Sequence, residues 1–290
     1  MLWYGYVALI TLFAAELGLF LKVQPVLNWF YTLEWWSYIF FIDAVNYKVR
    51  GDSLFKRDRS CFAYISFVSV FYWLIFELFN FTLKNWFYIK LPIWGIFRWL
   101  GYFISFATVV PAIMETYELF YHFNKKISFN IPAIRLSNNG LFLIGIVMLG
   151  LSLLFPKALF PLVWIGFIFV FEPFNRLKDA PLLNDSRKIV SLLESGLVCG
   201  FLWEFWNFWA ESKWAYQIPY FSEPKLFEMP IAGYLGFLPF ALETYGFYTL
   251  SVYFLETKLK SVTGAAAFVL ALFLLYAGCF YLIDSLTLLK

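Results

Sequence analysis

Apolar residues run through this chain in long blocks, and charged residues gather between them. A helix crossing a bilayer takes about 20 mostly apolar residues. Nine stretches read as spans on that pattern: 2–21, 26–47, 61–83, 93–121, 140–155, 158–175, 189–209, 230–254 and 265–282. The predicted fold class is all-α, a polytopic membrane protein with about nine transmembrane helices. A short aromatic connection, 84–92, joins the third and fourth stretches.

The connecting segments carry the charge. Lys48, Arg50, Lys56, Arg57 and Arg59 follow the second span. Lys125, Lys126 and Arg135 follow the fourth, and Arg176, Lys178, Arg187 and Lys188 follow the sixth. The loops on this side hold 14 of the 22 lysines and arginines. The positive-inside rule then puts the N-terminus in the cytoplasm and the C-terminus outside. The expected location is the inner (plasma) membrane, multi-pass. The N-terminus lacks a basic leader segment and its apolar run is long, so the first span is read as retained. Trp35-Trp36 and Trp206 to Trp214 fit interfacial aromatic belts.

The polar positions inside the spans repeat. Glu77-x-x-Asn80, Asn85-Trp86 and Pro111-x-x-x-Glu115-Thr116-Tyr117 return as Glu204-x-x-Asn207, Lys213-Trp214 and Pro239-x-x-x-Glu243-Thr244-Tyr245. The second and sixth spans match through Trp35/Trp164, Asp43/Glu172 and Asn46/Asn175. The offsets are 129, 127 and 128 residues, so small loop changes account for the drift. Two four-span repeats are predicted, 1–121 and 140–256, joined by a polar segment 122–139 and followed by a terminal span in 257–290. An even number of spans per repeat makes the repeats parallel, related by an axis along the membrane normal.

Glu-x-x-Asn sets both side chains on one helix face. A carboxyl at membrane depth costs at least about 2.5–3.5 kcal/mol. It persists where it faces a cavity, finds a partner or stays protonated. The amide is expected to hold the carboxyl by hydrogen bonding, and each proline, one turn before a Glu, to kink its span. The candidate catalytic set is Glu77, Asn80, Glu115, Glu204, Asn207 and Glu243, lining one cavity, with Asp43, Asn46, Glu172 and Asn175 as secondary candidates. Glu77 and Glu204 fall near the outer ends of their spans, and the other acids near the cytoplasmic ends. Two polar layers are therefore expected unless segments bend. A desolvated carboxyl acts as a general acid near neutral pH. Beside aromatic faces it suits protonation of an alkene or passage of a proton or cation. The same groups also serve as polar glue between helices.

Composition narrows the classes. The chain is 62% hydrophobic, against about 45–50% in soluble domains. A mean hydropathy of +0.72 leaves lipid as the natural solvent. A net charge of +3, scattered between apolar runs, gives no nucleic-acid footprint. Cys61, Cys199 and Cys279 lie far apart and are read as buried thiols. His122 is the sole histidine, read as a solvated loop residue, which rules out histidine-rich di-iron chemistry. Glu16 has no counterpart in the other half and is read as packing. No phosphate-binding loop, dinucleotide fingerprint, nucleophile elbow or magnesium-binding aspartate pair occurs, so neither cofactor nor metal is expected. The expected partner is a membrane lipid or hydrophobic small molecule. Protein partners are not specified by the sequence.

The block Glu204-Phe-Trp-Asn207, Trp214, then Glu228-Met-Pro230 before an aromatic span resembles the integral-membrane lycopene cyclase type of carotenoid enzyme. The resemblance covers about 50 residues of the second half and, more faintly, 77–92. The chain lacks that family's Pro-x-Glu-Glu, since Glu228 precedes its proline. The resemblance implies cofactor-independent, acid-catalysed cyclisation of a polyene without net redox change. Glu204 and Glu77 would be the acids, oriented by Asn207 and Asn80, with Glu115 and Glu243 as partners. Three functions stay open: an isoprenoid or lipid enzyme, a proton- or cation-coupled transporter, and a structural or assembly subunit.

Overall fold

The computed structural model describes residues 1–132, 135–178, 180–220 and 222–289. Part of the predicted connecting segment, Ala133 and Ile134, lies outside the described residues. The first half runs α1 (Trp3–Phe20), α2 (Val26–Arg50), a single turn α3 (Leu54–Arg57), α4 (Arg59–Leu83), β1 (Trp86–Ile89), α5 (Gly95–Phe106) and α6 (Val109–Phe123). The second runs α7 (Asn138–Leu154), α8 (Pro156–Leu159), a 3-10 turn, α9 (Val163–Leu177), α10 (Ser186–Trp209), β2 (Lys213–Tyr216), β3 (Lys225–Leu226) and β4 (Met229–Pro230). A 3-10 helix Ile231–Gly236 then leads into α11 (Phe237–Lys258) and α12 (Val262–Leu286).

Six segments are long and apolar enough to cross a membrane: Trp3–Phe20, Arg59–Leu83, Gly95–Phe123, Pro156–Leu177, Ser186–Trp209 and Val262–Leu286. A helix also occupies each of the other three predicted stretches. Of these, α2 and α11 are long enough but less apolar, and α7 has 17 residues. The outer surface is apolar: Trp3, Phe20, Ile93 and Val262 are among the large side chains left exposed. The acids and amides sit inside, with Asp43, Asn46, Glu115, Glu172, Asn175 and Glu243 all fully buried. That inversion is what lipid as solvent demands, because an unpaired polar group facing hydrocarbon costs several kcal/mol.

Pro111 and Pro239 do not bend continuous helices. Pro111 is the third residue of α6 and Pro239 the third of α11. Each lacks the N–H that would bond the carbonyl four residues back, and its ring crowds that carbonyl, so the helix restarts there instead. The predicted fourth span is accordingly two helices meeting at Ala107-Thr108. Ser69 stitches the break, donating to the Phe106 carbonyl at 2.7 Å and accepting from the Val110 N–H at 3.0 Å. The predicted eighth span begins as strand and 3-10 helix, with α-helix only from Phe237. His122 lies in the last turn of α6 rather than in a loop.

The halves touch through corresponding residues. Tyr72 Oη lies 3.1 Å from Thr244 Oγ1, and Cys199, at the position matching Tyr72, lies 3.4 Å from Thr116. Trp164 stacks on Phe76 at 5.1 Å, while Trp35 meets Trp203 edge-on at 5.9 Å. Tyr117 meets its own counterpart Tyr245 at 5.5 Å. Helices α10 and α11 approach closely at Gly200, where a Cβ would come within 2.3 Å of the Phe237 ring.

Candidate functional site

The connections after α4 and α10 form one antiparallel ribbon. Strand β1 pairs with β2 so that Trp86 faces Tyr216 and Tyr88 faces Trp214. The two asparagines build it. Asn80 donates from Nδ2 to the Trp86 carbonyl at 2.8 Å, and its Oδ1 accepts from the N–H groups of Asn85 and Trp86. Asn207 does the same for Trp214, donating to its carbonyl and accepting from its N–H, each at 3.0 Å. The sequence reading had each amide holding its glutamate. Both instead clamp the backbone turn that follows the helix, because a chain leaving a helix end exposes polar groups that a membrane leaves unpaired.

The glutamates are held by the strands. Glu77 Oε1 accepts from Trp73 Nε1 at 2.9 Å, Trp86 Nε1 at 3.0 Å and Tyr88 Oη at 2.6 Å. Glu204 Oε1 accepts from Tyr216 Oη at 2.6 Å. The Oε2 atom of each is buried without a hydrogen-bond partner among the described residues. The strands lie outside the membrane-spanning helices. There burial, followed by the adjoining carboxyl, pushes the phenols of Tyr88 and Tyr216 well above the ordinary tyrosine range, so both remain donors.

Under the ribbon lie two cavities, of about 340 Å³ and about 80 Å³. Both include Trp73, Tyr88, Trp203 and Trp214 in their walls. The larger adds Asn85, Trp86, Tyr216, Trp164, Met229, Phe237 and Phe240. The smaller adds Tyr31, Thr32, Tyr102 and Ser105, with Arg98 and Lys213. Those two cations are engaged, Arg98 with Asp284 and Lys213 with Glu228.

Glu77, Asn80, Glu115, Glu204, Asn207 and Glu243 do not share one cavity, and none of them lines either of these two. Glu77 and Glu204 stand one residue layer behind the walls. Glu115 pairs with Asn46, whose Nδ2 donates to both the Glu115 carbonyl and Oε2 at 2.8 Å. Asp43 accepts from Tyr4 Oη and, at 2.9 Å, from the Phe55 N–H. Glu172 accepts from Asn175 Nδ2 at 3.3 Å and from the N–H groups of Leu182 and Leu183 at 3.1 and 3.4 Å. Glu243 accepts from the Phe167 N–H at 3.0 Å. Asp43, Glu172 and Glu243 thus hold backbone N–H groups of other segments, while Glu115 is held by a side-chain amide.

Sequence reasoning passed over Tyr88 and Tyr216, although Trp-x-Tyr recurs in both halves as Trp86-x-Tyr88 and Trp214-x-Tyr216. It also passed over Trp73, one helical turn before Glu77, and Glu34. Glu34 is fully buried in α2 with neither carboxyl oxygen bonded among the described residues. No group of three or more His, Cys, Asp or Glu side chains suited to a metal occurs among the described residues.

No family model, curated protein or solved structure matches this chain.

Proposed function

We propose that this protein is a membrane-embedded acid–base enzyme acting on an isoprenoid or similar unsaturated lipid, as a lycopene cyclase-type protein does. The observation that carries the reading is the pair of 2.6 Å bonds linking Glu77 to Tyr88 and Glu204 to Tyr216, with both tyrosines in the wall of an aromatic cavity. Tyr88 and Tyr216 relay the proton: as each phenol turns its own hydrogen to the cavity it takes one from the protonated carboxyl behind it. That proton adds to one carbon of an alkene. The cation formed on the other carbon lies among indole and phenyl faces, which stabilise it. A neighbouring double bond attacks it and closes a ring, and a proton lost from the adjacent carbon returns to the carboxylate. Atoms and charge balance with no electrons exchanged.

In this reading the nine helical stretches are nine spans in two parallel four-span repeats plus a terminal span, in the inner membrane with the N-terminus cytoplasmic. The matching contacts of Tyr72 and Cys199, and a ribbon whose register is symmetric about Phe87 and Ala215, support the repeat. The test is expression in cells that accumulate a linear polyene, comparing wild type, Glu204→Gln and Glu77→Gln. Ring-bearing pigment from wild type and its loss in both variants is the expected result. A wild-type profile equal to that of the empty vector would remove the polyene substrate.

A structural or assembly role is the second reading, favoured by one observation: Asp43, Glu172 and Glu243 each accept a hydrogen bond from the backbone N–H of another segment.

A further inference from the structure

Asn85 opens the ribbon at the edge of the larger cavity. Its residue is 4% exposed and lines that cavity, and its Oδ1 is buried with no hydrogen-bond partner among the described residues. Its backbone is already committed, the N–H to Asn80 Oδ1 and the carbonyl to the Gln217 N–H at 2.7 Å. The side chain is therefore not needed to hold the turn. A buried acceptor left unpaired costs about 1–3 kcal/mol, and the neighbouring walls, Trp86, Trp164, Met229 and Phe237, are mainly apolar.

The other half shows what scaffolding looks like at the same place. The residue matching Asn85 is Lys213, which borders the smaller cavity and is neutralised by Glu228 at 2.5 Å. Asn80 and Asn207 do the same work in both halves, whereas Asn85 and Lys213 have diverged, one left unpaired and the other paired. A cavity of about 340 Å³ is at the small end of ligand pockets, which run from about 300 to 1,000 Å³. That volume is enough for one end of a long lipid and not for the whole of it. The cavity's rim includes Ile165 and Leu235, both exposed on the apolar outer surface, so the remainder of such a molecule continues into the bilayer.

We propose that the larger cavity binds the hydroxyl-bearing end of a long unsaturated lipid, with Asn85 Oδ1 accepting the hydroxyl hydrogen. This rests on the functional reading above and narrows its substrate class from any polyene to a polyene alcohol.

The test uses the full-length protein in nanodiscs, with all-trans-retinol and its methyl ether as probes. Binding is read by quenching of the cavity tryptophans. The two probes share a skeleton, but only the alcohol can donate a hydrogen bond. Wild type is expected to bind the alcohol roughly tenfold more tightly than the ether. Asn85→Leu is expected to bind both equally, at the ether's affinity, with a thermal midpoint at or above that of wild type. Equal binding of both probes by wild type overturns the role of Asn85, and a trapped water then satisfies the amide. It leaves the lipid-binding reading standing. Failure of wild type to bind either probe overturns both. The wild-type comparison decides the matter even where Asn85→Leu does not fold.

Discussion

Tyr216 stands 2.6 Å from Glu204, the same separation as Tyr88 from Glu77, and the four residues come from two helices joined by one ribbon. The two carboxyls are not equally supported. Glu77 also receives two indole N–H bonds, from Trp73 and Trp86. Tyr216→Phe should therefore destabilise the protein by about 2 kcal/mol, the scale of a hydrogen bond to a carboxyl, and Tyr88→Phe by less than about 1 kcal/mol. Unfolding in detergent would measure both. On the proposed function each variant should also lower turnover by at least about tenfold, since general acid–base contributions run to about 10²–10⁴.

The asparagine clamps give a prediction free of any assumption about activity. Asn80→Ala would leave the Asn85 and Trp86 N–H groups and the Trp86 carbonyl unpaired in an apolar setting. A loss of about 2–4 kcal/mol is expected for Asn80→Ala and for Asn207→Ala. Proteolysis within 84–92 and 210–216 should rise in step. If stability held but turnover fell, the amides would be acting on the glutamates after all.

Asp284 fastens the C-terminal helix α12 to α5. Asp284 accepts from Arg98 Nε and Nη2, both at 2.6 Å, from Trp99 Nε1 at 2.9 Å and from Tyr102 Oη at 3.0 Å. Beyond it, the Tyr88 N–H bonds the Thr287 carbonyl and the Leu289 N–H bonds the Tyr88 carbonyl, so the chain end runs along β1. Asp284→Ala removes the counter-charge of Arg98, leaving it only the Pro92 and Ile93 carbonyls, and should cost about 3 kcal/mol, whereas Arg98→Met with Asp284→Leu should restore most of it. Hydrogen exchange at residues 284–289 would register the loosened end.

Thiol labelling checks packing and orientation together. Cys61 is partly exposed at the start of α4, while Cys199 and Cys279 are buried. A maleimide should modify Cys61 in the folded protein and the other two only after unfolding. With the N-terminus in the cytoplasm, an impermeant reagent should reach Cys61 only after the cells are permeabilised. Labelling of Cys61 in intact cells would reverse the orientation.

The sequence carried the all-α membrane class because lipid imposes a coarse rule: apolar runs of span length become helices, and each predicted stretch contains one. It misjudged the ends. The spacing predicts kinks at Pro111 and Pro239, but both sit in first turns, where a proline's missing N–H costs no helix hydrogen bond. Repetition of Glu77/Glu204 and Asn80/Asn207 marked positions under constraint. The roles within the motif were not legible, because an amide three residues from a carboxyl can bond either the carboxyl or the departing chain.

What the sequence by itself determined is therefore the class of fold, the burial of its acids and the duplication of its motifs, all of which follow from composition and spacing. Only the tertiary structure decided which acids stand behind a cavity wall and which do not. Trp73, Tyr88, Trp203 and Trp214 are brought together by a ribbon joining residues about 130 positions apart. Hydropathy carries no information about pairing at that distance. The packing of the helices separated Glu77 and Glu204, behind the aromatic wall, from Asp43, Glu172 and Glu243, which hold backbone.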